Sequence, residues 1–344
     1  MKKALVTGAL GQDGSYMCEY LLSLGYEVWG TVRYEAKNKR EHENYVLGVN
    51  YRFADMRDKL SLETLIRQCH PDEIYNFAGQ VFVPTSWTQP EETFDVNTNG
   101  LARILSIVEK VCPSCKIYQA SSSEMYGNII MKPRSLGLST SSLPFAHLTE
   151  NSPMHPVSPY GVSKFAAHKL VDVYRNKGLY IVSGIAFNHE SPRRGSEMVT
   201  RKITKYMAEV KDGKNEVSTL RLGNPDAKRD WGFAGDFVKA MHKSLQQEIS
   251  EDYVIGTGEV HSVREFVNAA IGCTDIKFNF GDIQYNCIEF NRPNELYCLI
   301  ADYSKAKQQL GWQPETSFHD LVKMMVDADY KRYQNILVEE AASV

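Results

Sequence analysis

Tyr160 and Lys164 stand four residues apart in the run Tyr-Gly-Val-Ser-Lys, and Ser122 and Glu124 stand two apart in the run Ser-Ser-Ser-Glu. Residues four apart on a helix share a face, so the Tyr160 phenol and the Lys164 ammonium meet there. The positive charge is then expected to lower the phenol's pKa toward working pH. A phenolate of that kind removes a hydroxyl proton while a nicotinamide takes the hydride, and Ser122 can hold the same oxygen. Glu124 is surplus to simple alcohol oxidation. A second acid or base beyond the hydroxyl donor points to a step besides hydride transfer. The same residues also admit plainer readings, Glu124 as a solvated or helix-capping side chain and Tyr160 with Lys164 as a surface pair.

Hydride chemistry needs a dinucleotide site, and the chain opens with Gly8-x-x-Gly11-x-x-Gly14 between a short apolar run and a helical pattern. Glycines there let the backbone turn sharply and approach a pyrophosphate, which rests on the helix N-terminus. A tight turn with no ligand would use the same spacing. Arg33 ends the second expected strand, where a carboxylate would favour NAD and an arginine favours the 2'-phosphate of NADP. NADP is therefore expected ahead of NAD. Asp55 reads either as an adenine contact or as the N-cap of a helix over residues 59–68.

Stepping outward to the elements, residues 4–7, 27–32, 73–77, 116–120 and 180–187 read as buried strands, with helices over residues 15–24 and 90–111. Strands alternating with helices specify an α/β fold, a doubly wound parallel Rossmann sheet, with a smaller C-terminal α/β lobe for substrate. The expected division assigns residues 1–190, with 233–257 returning, to the dinucleotide domain. Residues 191–232 and 258–344 fall to the substrate lobe. Residues 128–149 read as a long surface loop between the catalytic strand and the catalytic helix.

Composition bounds the partners. With 344 residues and a formal net charge of -3, the chain can bury a large core and has no general attraction for nucleic acid or an anionic membrane surface. Seven cysteines, an odd number in a long chain, point to a reducing compartment rather than a disulfide framework. No apolar run reaches membrane-spanning length, so a cytoplasmic protein is expected. Cys112-Pro-Ser-Cys115 has redox or zinc-ligand spacing but no second pair to match it, and no metal site is expected. Trp231 reads as a buried aromatic or as a substrate neighbour.

Several longer motifs carry a resemblance. Gly8-Ala9-Leu10-Gly11-Gln12-Asp13-Gly14, Ser121-Ser122-Ser123-Glu124-Met125-Tyr126-Gly127, Asn188-His189-Glu190-Ser191-Pro192-Arg193-Arg194-Gly195, Thr200-Arg201-Lys202-Ile203-Thr204 and Asp226-Ala227-Lys228-Arg229-Asp230-Trp231-Gly232 together resemble the GDP-mannose 4,6-dehydratases, which are extended short-chain dehydrogenases/reductases. The similarity runs from the first strand to about Pro314. It implies a redox-neutral dehydration of a GDP-sugar: Tyr160, assisted by Lys164 and Ser122, takes the O4 proton as hydride leaves C4, Glu124 removes the C5 proton and helps the C6 hydroxyl leave, and the hydride returns to C6.

By the same resemblance, Gly8, Ala9, Leu10, Gly11, Gln12, Asp13, Gly14, Arg33, Asp55, Met56, Phe77, Ala78, Gly79, Gln80, Lys164, His189 and Arg194 surround NADP. Ser86, Asn188, Lys202, Arg229, Arg292 and Glu295 surround the substrate. A homodimer or homotetramer is implied as well. The chain departs from the family in places. Tyr34 follows Arg33 where a second arginine is usual, Val81 and Phe82 replace a serine and a histidine, and Glu92 replaces a cofactor-contacting tyrosine. These changes, with the long loop, keep a related sugar such as a GDP-manno-heptose open. Other readings are a C4 dehydrogenase or a decarboxylase on the same scaffold, or a cofactor-sensing binding protein. The intact set Ser122, Glu124, Tyr160 and Lys164 argues against the last.

Overall fold

The computed structural model describes residues 1–34, 42–128, 147–211, 219–274, 283–290, 294–296 and 298–342, with side chains to residue 335. In chain order it begins with β1 (Lys3–Thr7), α1 (Gln12–Ser23), β2 (Glu27–Val32), β3 (Asn50–Phe53), α2 (Lys59–Cys69), β4 (Glu73–Asn76), α3 (Val83–Thr88), α4 (Pro90–Phe94), α5 (Gly100–Val111), β5 (Lys116–Ser122), β6 (His147–Leu148), α6 (Pro159–Asn176) and β7 (Ile181–Ala186). There follow β8 (His189–Glu190), α7 (Val199–Lys211), β9 (Leu220–Arg221), β10 (Lys228–Arg229), β11 (Gly232–Phe233), α8 (Ala234–Leu245), β12 (Asp252–Ile255), β13 (His261–Ser262), α9 (Val263–Gly272), β14 (Ile283–Gln284), β15 (Cys298–Ala301), α10 (Ser304–Leu310) and α11 (Phe318–Ala342).

Seven strands form one sheet in the order β12-β7-β5-β4-β1-β2-β3, and every pairing in it is parallel. Parallel strands need crossover helices, so both faces are covered and the strands read as unbroken apolar runs. Ala4 and Val6 of β1 pack on one face with Met17 and Leu21 of α1 and Phe237 and Met241 of α8. Leu5 turns to the other face, among Leu62 and Ile66 of α2 and Ile104 and Leu105 of α5. Strand β12 and helix α8 lie far along the chain yet complete this layer, and Ala306, Leu310 and Trp312 join the same cluster.

A separate apolar cluster holds three further helices together: Ile203 and Met207 of α7, Phe266 and Val267 of α9, and Leu321, Val322 and Met325 of α11. Trp231 belongs to it, 3% exposed and packed against Phe266 and Phe318. A four-stranded sheet in the order β13-β10-β15-β6 lies alongside. Strand β6 falls within the stretch expected to be loop. Residues 129–146 of that stretch lie outside the described residues.

The expected single helix over residues 90–111 is broken by a π-helical turn, Asp95–Asn99, between α4 and α5. Nothing in its apolar period betrays the extra residue. The turn presents Asn97, whose side chain accepts from the Gln80 N–H at 2.9 Å and donates to the Gln80 carbonyl at 3.0 Å and to Ser163 at 3.0 Å. Such bulges often serve function, and this one pins the strand-to-helix connection after β4. Helix α6 begins at Ser158, whose hydroxyl accepts from the Gly161 N–H at 3.0 Å, with Pro159 at its first position.

Candidate active site

The loop after β1 turns at Gly8, whose φ of 66° lies in the left-handed region. A Cβ on Gly14 would come within 2.2 Å of the Gly8 carbonyl oxygen, so only glycine lets α1 start against the loop. Above these turns lies a cavity of about 680 Å³. Of the residues expected around the dinucleotide, Gly8, Leu10, Gly11, Gln12, Asp13, Gly14, Arg33, Asp55, Met56, Phe77, Ala78, Gly79, Gln80 and Arg194 line it. Thr31, His42 and Arg57 line it too and were not foreseen as cavity residues, and Glu92, noted in place of a cofactor-contacting tyrosine, lines it as well. The cavity sits beyond the C-terminal ends of β1 and β4, where crossovers leave the sheet in opposite directions.

The lining fits a dinucleotide. The glycine loop leaves bare backbone toward the helix start, and Gln80 Oε1 is buried with no hydrogen-bond partner among the described residues. Ala9 and His189 stand behind the lining. Ala9 is fully buried, its N–H donating to the Thr31 carbonyl at 3.3 Å. His189 hydrogen bonds Asp13 at 2.9 Å through Nε2 and the Phe187 carbonyl at 2.7 Å through Nδ1. Burial works against the charge on His189, but the Asp13 carboxylate outweighs it and the imidazole's pKa is raised. The imidazolium in turn holds Asp13 low despite its burial.

Asp55 does not cap α2. Asp58 does, accepting from the Leu60 N–H at 2.9 Å, while Asp55 is gripped on both oxygens by Arg57, at 2.9 and 2.7 Å. Arg57 also reaches Glu92 at 3.0 Å. The glutamate that replaces the family's tyrosine therefore enters an ion pair across the cavity wall.

Strand β5 ends at Ser122, and Glu124 follows on a single 3₁₀ turn with its N–H donating to Ser122 Oγ at 3.2 Å. Helix α6 brings Tyr160 to the same place. Gly161 permits the approach, since a Cβ there would lie 2.9 Å from the Glu124 carbonyl oxygen and 3.1 Å from Pro156. Tyr160 is 8% and Lys164 5% exposed. The Lys164 ammonium donates to the Ala120 carbonyl at 2.9 Å and lies below Gly79, whose added Cβ would be 3.7 Å away. The floor of the cavity and the catalytic helix thus meet at Lys164.

The expected lowering of the phenol does not occur in the protein alone. Burial pushes the Tyr160 phenol up to about 12, the hydrogen bond with Ser122 opposes this, and the Glu124 charge adds to it. Burial lowers the Lys164 ammonium to about 8, with the Asp13 charge opposing. Helical spacing does bring the two residues to one face, but the lysine stem runs to a strand carbonyl, 5.9 Å from the Tyr160 ring centroid. In so dry a site, loss of solvation outweighs one ammonium at that range.

The residues expected around the substrate come from different parts of the chain. Arg229 is buried and donates to Glu295 at 3.0 Å and to the carbonyls of Lys228 and Leu296. Asn128 donates to the Glu295 carbonyl at 2.8 Å, tying this pair to the segment after the catalytic turn. Lys202 lies 4.1 Å over the Phe290 ring, and burial lowers its pKa. Asn188 is half-buried and accepts the Gly232 N–H at 2.9 Å on its carbonyl. Ser86 is fully buried, its hydroxyl donating to the Val83 carbonyl at 2.7 Å. Arg292 lies outside the described residues.

The family model for GDP-mannose 4,6 dehydratase matches residues 5–325. The chain belongs to the GDP-mannose 4,6-dehydratase family. GDP-mannose 4,6 dehydratase 1 of Arabidopsis thaliana is 43% identical over 95% of this chain and 90% of its own. The human GDP-mannose 4,6 dehydratase is 40% identical over 95% of this chain and 91% of its own. Among solved structures, the UDP-glucose 4-epimerase of Thermus thermophilus in complex with NAD superposes with a TM-score of 0.79 at 26% identity, covering 95% of this chain and 98% of that one.

Two residues that position this family's machinery here were not singled out in sequence, Asn97 and Gly161. The glycine directly after Tyr160 was an available signal, whereas Asn97 stands among Asp95, Thr98 and Asn99 and nothing in the sequence sets it apart. Cys112 and Cys115 close a turn through the Cys115 N–H and the Cys112 carbonyl at 2.9 Å, at the end of α5 and away from the cavity lining. Among the described residues, His168, Asp172 and Asp252 come together in a metal-like group. Its carboxylates are already engaged, Asp252 by Arg175 at 2.7 Å and Asp172 by Lys169 at 3.0 Å. No helix among the described residues is long and apolar enough to cross a membrane.

Proposed function

We propose that the protein is a nucleotide-sugar 4,6-dehydratase that converts GDP-mannose to GDP-4-keto-6-deoxymannose with NADP as its dinucleotide. The observation that carries this reading is the placement of Glu124. Its N–H donates to Ser122 Oγ at 3.2 Å, and its backbone carbonyl oxygen lies 2.9 Å from where a Cβ on Gly161, next to Tyr160, would stand, so a second acid–base group is placed beside the alcohol-oxidising pair. A dehydrogenase has no work for it.

When bound, the nicotinamide supplies a reversible acceptor and donor of hydride. The remaining steps fall to this chain. Ser122 holds the sugar O4 and Tyr160 takes its proton. A phenol with its pKa lifted by burial gives up its own proton only when further positive charge reaches the pocket, so proton removal is coupled to a filled site. The ketone at C4 acidifies C5. Glu124 then removes the C5 proton and delivers it to the C6 oxygen as water leaves, one carboxyl group acting as base and acid in turn. Arg33 at the end of β2, without a carboxylate in its place, supports NADP over NAD. Arg229 and Glu295 are assigned to the GDP portion, a guanidinium fork suiting diphosphate and a carboxylate suiting a ribose diol. A GDP-heptose is the second reading, because Val81 is an apolar lining residue where the family carries a serine.

The test uses GDP-mannose carrying deuterium at C4. Mass spectrometry should find a product lighter by one water with the deuterium at C6 of the same molecule and no net reduced cofactor. Accumulation of reduced cofactor with the C6 hydroxyl intact would instead establish a C4 dehydrogenase. Turnover of a GDP-heptose with no turnover of GDP-mannose would move the substrate to the second reading.

A further inference from the structure

His42 lines the same cavity as Arg33, together with Thr31, Val32 and Asp55, although it stands ten residues after Val32, the end of β2. Its place is set by Asn44. The Asn44 amide donates to the Leu10 carbonyl of the glycine loop at 3.1 Å, and Asn44 is only 5% exposed. The Asn44 backbone N–H donates to His42 Nδ1 at 3.1 Å. An imidazole nitrogen that accepts a hydrogen bond carries no proton, so the neutral ring keeps its proton on Nε2. The backbone thus fixes a tautomer with one N–H donor free of that contact.

A 2'-phosphate on adenosine presents three acceptor oxygens and close to two negative charges, as any phosphomonoester does. The single guanidinium of Arg33 can fork onto two of those oxygens. Tyr34, next in sequence, is 67% exposed and lies against Phe53 with ring centroids 5.5 Å apart, so it brings no cation to the cavity. Nor is the surrounding negative charge uncompensated. Asp55 is held by Arg57 at 2.7 Å, and Glu43, beside His42, pairs with Arg332 at 3.4 Å.

We propose that His42 is a specificity residue for the dinucleotide, its Nε2–H donating to the adenosine 2'-phosphate that Arg33 also holds. This rests on the NADP reading above. The role divides between Arg33, next after β2, and His42, where two adjacent arginines would otherwise serve.

Isothermal titration of 2',5'-ADP and of 5'-AMP into the full chain tests it without turnover. Wild type should bind 2',5'-ADP more tightly than 5'-AMP. His42→Leu should weaken 2',5'-ADP by about tenfold, the scale of one hydrogen bond to a charged group, and leave 5'-AMP within about twofold. His42→Arg should restore the preference. A wild-type preference that His42→Leu leaves unchanged overturns the role of His42 while NADP stands. Equal binding of the two nucleotides by wild type overturns both, and loss of 5'-AMP binding in step with 2',5'-ADP would make His42 a support of the loop rather than a reader of phosphate.

Discussion

The two sides of the cleft are built differently. On the cavity side a glycine loop and strand ends are set by an apolar sheet whose members need no partner beyond one another, with charged side chains such as Arg33, Asp55 and Arg57 around them. On the substrate side the groups assigned to GDP are long charged side chains already holding something, Arg229 on Glu295 and two carbonyls, Lys202 over an aromatic ring. A backbone surface is ready as soon as the sheet folds. A surface of paired charges keeps its shape only while the pairs do, and a ligand must exchange partners with them.

A buried charge pair also links the two sides. Arg201 on α7 meets Asp329 on α11 through two hydrogen bonds, at 3.0 and 2.8 Å, and its third nitrogen donates to the carbonyls of Pro192 and Arg194. Arg194 lines the cofactor cavity. The comparison breaks most visibly here. Asp329→Asn leaves the guanidinium buried without its counter-charge and should cost about 3–5 kcal/mol. Chemical denaturation should show the loss, and hydrogen exchange should place it in α7 and α11 while β1, β4 and β5 stay protected. Uniform loss across both lobes would mean that they do not differ in the way described.

Next in size is Glu124→Gln, which separates the two proton transfers sharing one pocket. Product formation should fall by about 10²-fold or more, while single-turnover absorbance still shows hydride passing to the cofactor. Dehydration at the normal rate would remove Glu124 from the chemistry.

The smallest expected effect concerns Lys164, the residue where floor and helix meet. Its folded pKa of about 8 lies below the ordinary lysine value near 10.4. The unfolded chain therefore binds more protons between those values, so this group's contribution to stability rises with pH across that window and is most unfavourable below about 8. Lys164→Met should stabilise the protein at pH 7 by about 2 kcal/mol while removing activity, and the gain should shrink toward pH 10. A variant less stable than wild type at pH 7 would show that the hydrogen bond to Ala120 outweighs the buried charge.

Much of the fold was legible because strands buried on both faces leave continuous apolar runs. Residues 27–32 were read with the observed bounds, and the strands around 4–7, 73–77, 116–120 and 180–187 came within two residues at each end. The break at Asp95–Asn99 was not legible, since a π turn adds one residue to a helix without altering its composition. The neighbours of Asp55 misled in a related way. Two aspartates three apart precede α2, and it is Asp58, with extended backbone, that accepts from the Leu60 N–H while Arg57 holds Asp55.

The sequence by itself determined the sheet, the glycine loop and which groups are candidates for the chemistry, because each depends on residue type at short spacing: apolar period, absent Cβ, phenol and amine four apart. Tertiary structure decided what those groups can do at rest. Whether Lys164 lowers a phenol or donates to Ala120, whether Arg229 is open or held by Glu295, and whether His42 stands beside the phosphate loop all depend on atoms brought together from distant positions. Charge energies in a dry interior are set by those atoms and by how little water remains, and a linear sequence records neither.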